Sequence, residues 1–174
     1  MLEIVILLLL MVINGLLVMS EIALVSARKP RLESMANKGD ARAKVALALA
    51  EKPDKFLSTA QIFITLIAIL TGVYSGEKFS HHFQPFFERF DLTRPYANTI
   101  ATVLIVIIVT FLSIIIGELL PKRMGMLRAE KIARLVAGPM NFLSGMTYPI
   151  VWLLSGISNL VFKIFNKIKH FRLQ

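Results

Sequence analysis

The sequence contains no cysteine, which excludes a disulfide framework and any thiolate metal site. Its only histidines are His81, His82 and His170. Two fall in one expected loop and one in the tail, so they form no HExxH or comparable hydrolytic arrangement. With no carboxylate motif around them, His81 and His82 read as solvated loop residues rather than metal ligands. A Walker A sequence is also missing, so the chain carries no motif for ATP hydrolysis of that kind. These absences argue against an enzyme. Acidic residues are scarce as well: 11 Asp and Glu stand against 20 Lys and Arg, for a formal charge of +9.

What the chain has instead is apolar surface, with 56% hydrophobic residues and a mean hydropathy of +0.68. No ordinary soluble core needs that much. The basic residues flank apolar runs instead of lining a polar, aromatic-studded surface, so the charge is expected to meet lipid headgroups and not nucleic acid. Runs over 4–27, 56–75 and 96–120 each match the roughly 20 helical residues that cross a bilayer. The first has Glu3 and no Lys or Arg ahead of it, and lacks a small-residue cleavage motif, so it reads as a span and not as a cleaved signal peptide. Residues 92–98, with Pro95, read as the turn that opens the third helix.

Arg28, Lys29, Arg31, Lys38, Arg42, Lys44, Lys52 and Lys55 lie between the first two runs, whereas only Lys78, Arg89 and Arg94 lie between the second and third. The positive-inside rule then places the N-terminus outside and the C-terminus in the cytoplasm. Apolar residues near helical spacing over 28–53, broken at 37–40, predict a juxtamembrane helix-turn-helix. Residues 122–170 are apolar but interrupted by Pro139, Gly145, Pro149 and Gly156. A fourth crossing would export Lys163, Lys167, Lys169 and Arg172, so a bent belt helix on the inner face is expected there. The chain ends without a folded soluble module, as a fragment of a longer protein would. The fold class expected is an all-α membrane protein of three transmembrane helices.

In "SIIIGELLPKRMG", residues 113–125, a carboxylate interrupts an apolar run. Glu118 can be read as an interfacial residue paired with Lys122 at i+4. Alternatively it is a functional intramembrane acid. Pro121 supports the second reading: having no amide hydrogen, it leaves the Gly117 carbonyl, four residues back, without its helical partner. A carboxylate beside a freed carbonyl oxygen suits a hard cation. Glu21 is a second carboxylate in the inner half, on a helix face shared with Asn14 and Val18, although it too can pair with a basic neighbour. On the second span Gln61, Thr65, Ala68, Gly72 and Gly76 recur at helical spacing. The glycines read as packing positions, while Gln61 and Thr65 serve equally as ligands or as interhelical hydrogen-bonders.

Taken together, "NG...SEIALVSARKPRLE", "TAQIFITL" and "GELLPK" resemble the transmembrane domain of the CNNM/CorC family of magnesium and cobalt efflux proteins. The resemblance covers nearly the whole chain and implies a homodimer of three-span subunits in a bacterial inner (plasma) membrane. It implies export of Mg2+ in exchange for Na+, with both ions as transported species rather than resident cofactors. It also implies cytoplasmic CBS-type domains in full-length members, which this chain lacks. The family's site maps directly onto Glu118 and Gly117. The first-span serine of described Mg2+ sites aligns with Val18, and the second-span asparagine with Thr65. Ser20 is an off-face substitute for the missing hydroxyl. Mg2+ demands near-octahedral oxygen geometry and dehydrates reluctantly. A site with Val18 therefore retains more water, serves another cation, or is vestigial in a membrane scaffold or sensor.

Because the chain has no native cysteine, topology is testable with one introduced thiol. A cysteine at Gln174 is expected to react with an impermeant maleimide only from the cytoplasmic side; labelling from outside would establish a fourth span.

Overall fold

A computed structural model describes residues 2–90, 92 and 94–171, with the side chains of Asn159 and of residues 164–171 left out. Expectations attached to Arg172 and Gln174, and to the side chains of Lys167, Lys169 and His170, lie outside the described residues. Those residues form an all-helical chain: α1 (Leu2–Ser26), α2 (Lys29–Asn37), α3 (Ala41–Glu51), α4 (Pro53–Phe87), α5 (Ala97–Ile114), α6 (Leu120–Leu127), α7 (Ala129–Met146) and α8 (Tyr148–Phe171). A 3-10 turn, Arg94–Tyr96, precedes α5, and a π-helical turn, Ile115–Leu119, joins α5 to α6. Among the described residues, α1, α4 and the continuous helical run Arg94–Leu127 are long and apolar enough to cross a membrane. Only 22% of the most apolar window of each is buried within the chain. The rest is outward-facing apolar surface, which lipid or another helix must cover.

The second span is longer than the 56–75 read from hydropathy. No proline interrupts the sequence between Pro53, which opens α4, and Pro85 in its last turn, so the helix runs on through Glu77, Lys78, His81 and His82. At 1.5 Å per residue it measures about 52 Å, well beyond a hydrocarbon core of about 30 Å. His81 and His82 remain exposed, but on a helix and not in a loop. Apolar surface sustains this extension: Phe79 packs against a small core of Leu7, Met11, Ile105 and Val109.

A larger core lies at the other end, where Ala23 and Leu24 of α1 and Ala27 just beyond it meet Leu32, Ala46, Leu49, Phe56 and Ala60. Into it α7 sends Met140 and three alanines, Ala129, Ala133 and Ala137, whose small side chains at helical spacing let its backbone approach closely. Leu32 is fully buried, and burying such a side chain from water is worth about 1.5–3 kcal/mol. Gly39, at φ 92°, makes the turn between α2 and α3, a left-handed conformation that glycine adopts without strain. Asp40 caps α3 by accepting from the amides of Arg42 and Ala43 at 3.0 and 3.1 Å. The same carboxylate pairs with Arg134 of α7, and Arg31 reaches Glu130 at 3.6 Å, so the helix-turn-helix is held to α7 by charge as well as by packing. From α7 to α8 the chain bends by 66° at Thr147, whose hydroxyl is hydrogen-bonded to that of Thr59 at 2.8 Å in a buried setting.

Glycine lets α1 meet the third span. A Cβ on Gly15 would lie 2.8 Å from the Pro121 ring and 3.2 Å from the Ile116 carbonyl oxygen; one on Gly125 would lie 2.9 Å from the Met19 carbonyl oxygen. On α4, a Cβ on Gly76 would lie 3.4 Å from methyls of Thr102 and Val106, whereas one on Gly72 would have nothing within 4 Å. Gly15→Val and Gly125→Val are therefore expected to cost about 1–3 kcal/mol each through overpacking. Thermal unfolding in detergent should show both losses, whereas Gly72→Ala, inside α4 with nothing within 4 Å of its new Cβ, should raise the midpoint slightly, by about 0.5–1 kcal/mol of helix propensity.

Candidate cation site

The site begins with a missing hydrogen. Pro121 cannot donate, and the residues before it loosen into the π turn, in which the Leu120 amide bonds to the Ile115 carbonyl five residues back. The Gly117 carbonyl, freed from the ladder, turns to α1 and accepts from Asn14 Nδ2 at 3.2 Å. Any side chain at Gly117 would intrude here, since its Cβ would sit 3.2 Å from that nitrogen and 3.4 Å from the Met11 carbonyl oxygen. The carbonyl anticipated as a bare ligand is thus engaged by Asn14, although its oxygen retains a second lone pair.

Beside this contact, α1, α4 and α5 enclose a cavity of about 180 Å³. Asn14, Thr71, Thr110, Ser113 and Glu118 supply its polar wall, and Met11, Ile64, Ala68 and Val109 much of the apolar one. Thr71 spends its hydroxyl on the Ile67 carbonyl at 2.7 Å. Asn14 Oδ1 and Ser113 Oγ, in contrast, are buried without any hydrogen-bond partner. Unpaired buried polar atoms are uncommon and costly, and they mark places where water or an ion belongs. Sequence reasoning placed Asn14 on a polar face without a role and passed over Ser113. In a regular α-helix five residues separate two side chains by about 140°, so Ser113 and Glu118 would diverge. The wider π turn between them brings both to one cavity.

The other expected residues are placed unevenly. Glu118 lines the cavity and also pairs with Lys122 at 3.3 Å, with the two side chains 49% and 40% exposed. Glu21 is partly buried and interacts electrostatically with both Lys122 and Glu118, but it does not line the cavity. Thr65 is exposed, accepts from Gln61 at 3.3 Å and lies outside the cavity wall. Ser20 is buried and donates to the Leu16 carbonyl at 2.6 Å, within its own helix. Val18 is buried in apolar packing. Lys122 is therefore paired with Glu118, with Glu21 near enough to feel both charges, beside two oxygens that lack partners.

The model of the Cyclin M (CNNM) transmembrane N-terminal domain matches residues 4–172. The chain belongs to the CNNM family. Among CNNM relatives, it is 43% identical over 157 residues to the UPF0053 protein sll0260 of Synechocystis, covering 90% of this chain and 35% of the relative. It is 37% identical over 150 residues to the polyamine export protein of Haemophilus influenzae, covering 84% and 34%. With the polyamine export protein of Escherichia coli K12 it shares 32% identity over 164 residues, covering 94% and 36%. The chain thus spans about a third of the length of these relatives. It is an integral membrane protein, and two of these relatives bear the name polyamine export protein.

The link between Asn14 and Gly117 can be measured by a double-mutant cycle. Asn14→Leu is expected to destabilise the CNNM domain by about 1–3 kcal/mol, the cost of leaving a buried acceptor unpaired. In a Pro121→Ala background the restored amide hydrogen offers the Gly117 carbonyl a new partner, and the same substitution should cost about 1 kcal/mol less. Additive unfolding free energies would show the two groups to be independent.

Proposed function

We propose that this domain carries a cation out of the cell, binding it at Glu118 with Asn14 Oδ1 and Ser113 Oγ as neighbouring ligands. The observation behind this is the Glu118–Lys122 pair, 3.3 Å apart, beside two unpartnered buried oxygens, with Glu21 near enough to feel both charges. Three charged groups sum to one negative charge, and such a charge in a low-dielectric setting is costly until a cation compensates it. Lys122 acts as a tethered counter-ion in this scheme: it neutralises Glu118 before cargo arrives and yields the carboxylate when cargo binds. The second lone pair of the Gly117 carbonyl supplies a further oxygen. Thr65 and Ser20, turned elsewhere, contribute at most through other conformations or bound water.

The cargo we favour is Mg2+, with Na+ moving the other way, as the family resemblance implies. The cavity volume equals that of about six waters at roughly 30 Å³ each, so the ion binds partly hydrated, in keeping with an incomplete ring of protein oxygens. A second reading, a linear polyamine, is favoured by two observations: relatives bear the name polyamine export protein, and much of the cavity wall is apolar. Unpartnered oxygens accept from an ammonium group as readily as they ligate a metal, and the wall would cover methylenes. In both readings two copies assemble through their spans, as the resemblance implies.

Flux in proteoliposomes tests both. With the parent protein, an Mg2+ indicator should report transport that depends on an opposing Na+ gradient. Movement of a labelled diamine without Mg2+ flux would select the second reading. Glu118→Gln keeps the shape and removes the charge, and flux of the cargo should fall at least about tenfold while the fold persists. Normal flux in Glu118→Gln would leave the carboxylate as an anchor for Lys122 alone; absence of flux of either cargo in the parent would favour a scaffold or sensor.

A further inference from the structure

A second cavity, of about 660 Å³, opens where the end of α3 and the start of α4 face the end of α7. Its volume falls within the range of small-molecule sites. Lys52 and Lys55 provide positive charge, Asn141 an amide, Tyr148 a ring, and Glu51 the one carboxylate on the wall. Ser144 also lines it: the residue is 8% exposed, and its buried Oγ has no hydrogen-bond partner. The 35-residue helix α4 starts at this wall with Pro53 and no side-chain cap, so its first amides are left to other acceptors. Lys55 Nζ sits 4.7 Å from the centre of the Tyr148 ring, which holds the ammonium at the cavity edge. Surplus positive charge, free hydroxyl and amide donors, and an uncapped helix start together describe an acceptor-rich anion.

The apolar surroundings specify what carries that anion. Tyr148 opens α8, and one turn further Trp152 begins an outward groove shared with Leu153, Ile157 and Leu160, apolar except for negligible polar surface. Trp152 is 69% exposed and Leu160 62%. A free phosphate has no use for such a surface, whereas acyl chains cover it. The lysines stand at the mouth of the second span, on the flank that the charge distribution assigns to the cytoplasm, where anionic headgroups concentrate.

We propose that this cavity is a binding site for one anionic phospholipid, its phosphodiester between Lys52, Lys55 and the start of α4, its headgroup hydroxyls on Ser144 and Asn141, and its acyl chains along α8. The lipid thereby joins α3, α4 and α7 at the bend to α8. The proposal is independent of the Glu118 cavity and of what it transports.

Native mass spectrometry of the detergent-solubilised protein, offered equal phosphatidylglycerol and phosphatidylcholine, tests it. The parent should retain phosphatidylglycerol preferentially. The pair Lys52→Gln with Lys55→Gln should reduce that retention at least about tenfold, on the scale of two lysines near an anionic surface. Lys38→Gln with Lys44→Gln removes the same charge from the helix-turn-helix away from the cavity and should leave retention unchanged. Ser144→Ala, which removes a hydroxyl and adds no bulk, should lower retention by about threefold and decides the matter if the lysine pair fails to fold. Equal retention of phosphatidylcholine, equal loss in the control pair, or full retention in both cavity variants would overturn the proposal. So would complete displacement by millimolar glycerol phosphate, which would make the ligand a soluble anion and not a lipid.

Discussion

The hydrogen bond from Asn14 to the Gly117 carbonyl exists because proline has no amide hydrogen. In water a freed carbonyl is solvated at little cost; in a membrane it must find a partner within the protein. Pro121 creates that requirement in the third span, and α1 meets it. The contact holds α1 against the π turn at close range, which in turn requires glycine on both sides: Gly15 beneath the Pro121 ring and Gly117 beneath Asn14. Gly125, one step further along, keeps α6 against the Met19 carbonyl. A single absent hydrogen thus sets where these helices touch and how the third span winds.

The same turn arranges the chemistry. By widening the helix between Ser113 and Glu118, it gathers side chains that an α-helical register would separate. With Asn14 Nδ2 committed to Gly117, its Oδ1 is left buried with no partner of its own, on a residue that lines the cavity. Helix packing and an unsatisfied polar site therefore have one cause, so a substitution at Asn14 acts on both. Charge gathers at the same place: Lys122, one helical turn beyond Glu118, pairs with it at 3.3 Å, and Glu21 lies near enough to feel both charges.

Packing is unequal along the membrane normal. The large core around Leu24, Leu32, Leu49, Phe56 and the α7 alanines joins five helices, whereas Leu7, Met11, Ile105 and Val109 form only a small one. Elements held by few buried contacts open at lower free energy than those in a large core. The cavity at Glu118 touches both clusters, taking Met11 and Val109 from the small one and Ile64 from the edge of the large one.

Composition and charge asymmetry alone determined that this is an all-α membrane protein with a helix-turn-helix after the first span, because hydropathy and helical period are local properties of a sequence. Pro121, four residues beyond Gly117, likewise announced a freed carbonyl, since a proline's missing donor is a covalent fact. The length of α4 was less legible: Glu77, Lys78, His81 and His82 look like loop by hydropathy, yet nothing there breaks a helix and Phe79 finds a core. Only the tertiary structure decided which partner took the Gly117 carbonyl, that Ser113 shares a cavity with Glu118, and that Thr65 and Ser20 point elsewhere. Those outcomes depend on the register between helices and on a π turn, and both are set by contacts between residues as far apart in the chain as Asn14 and Gly117, which no local pattern encodes.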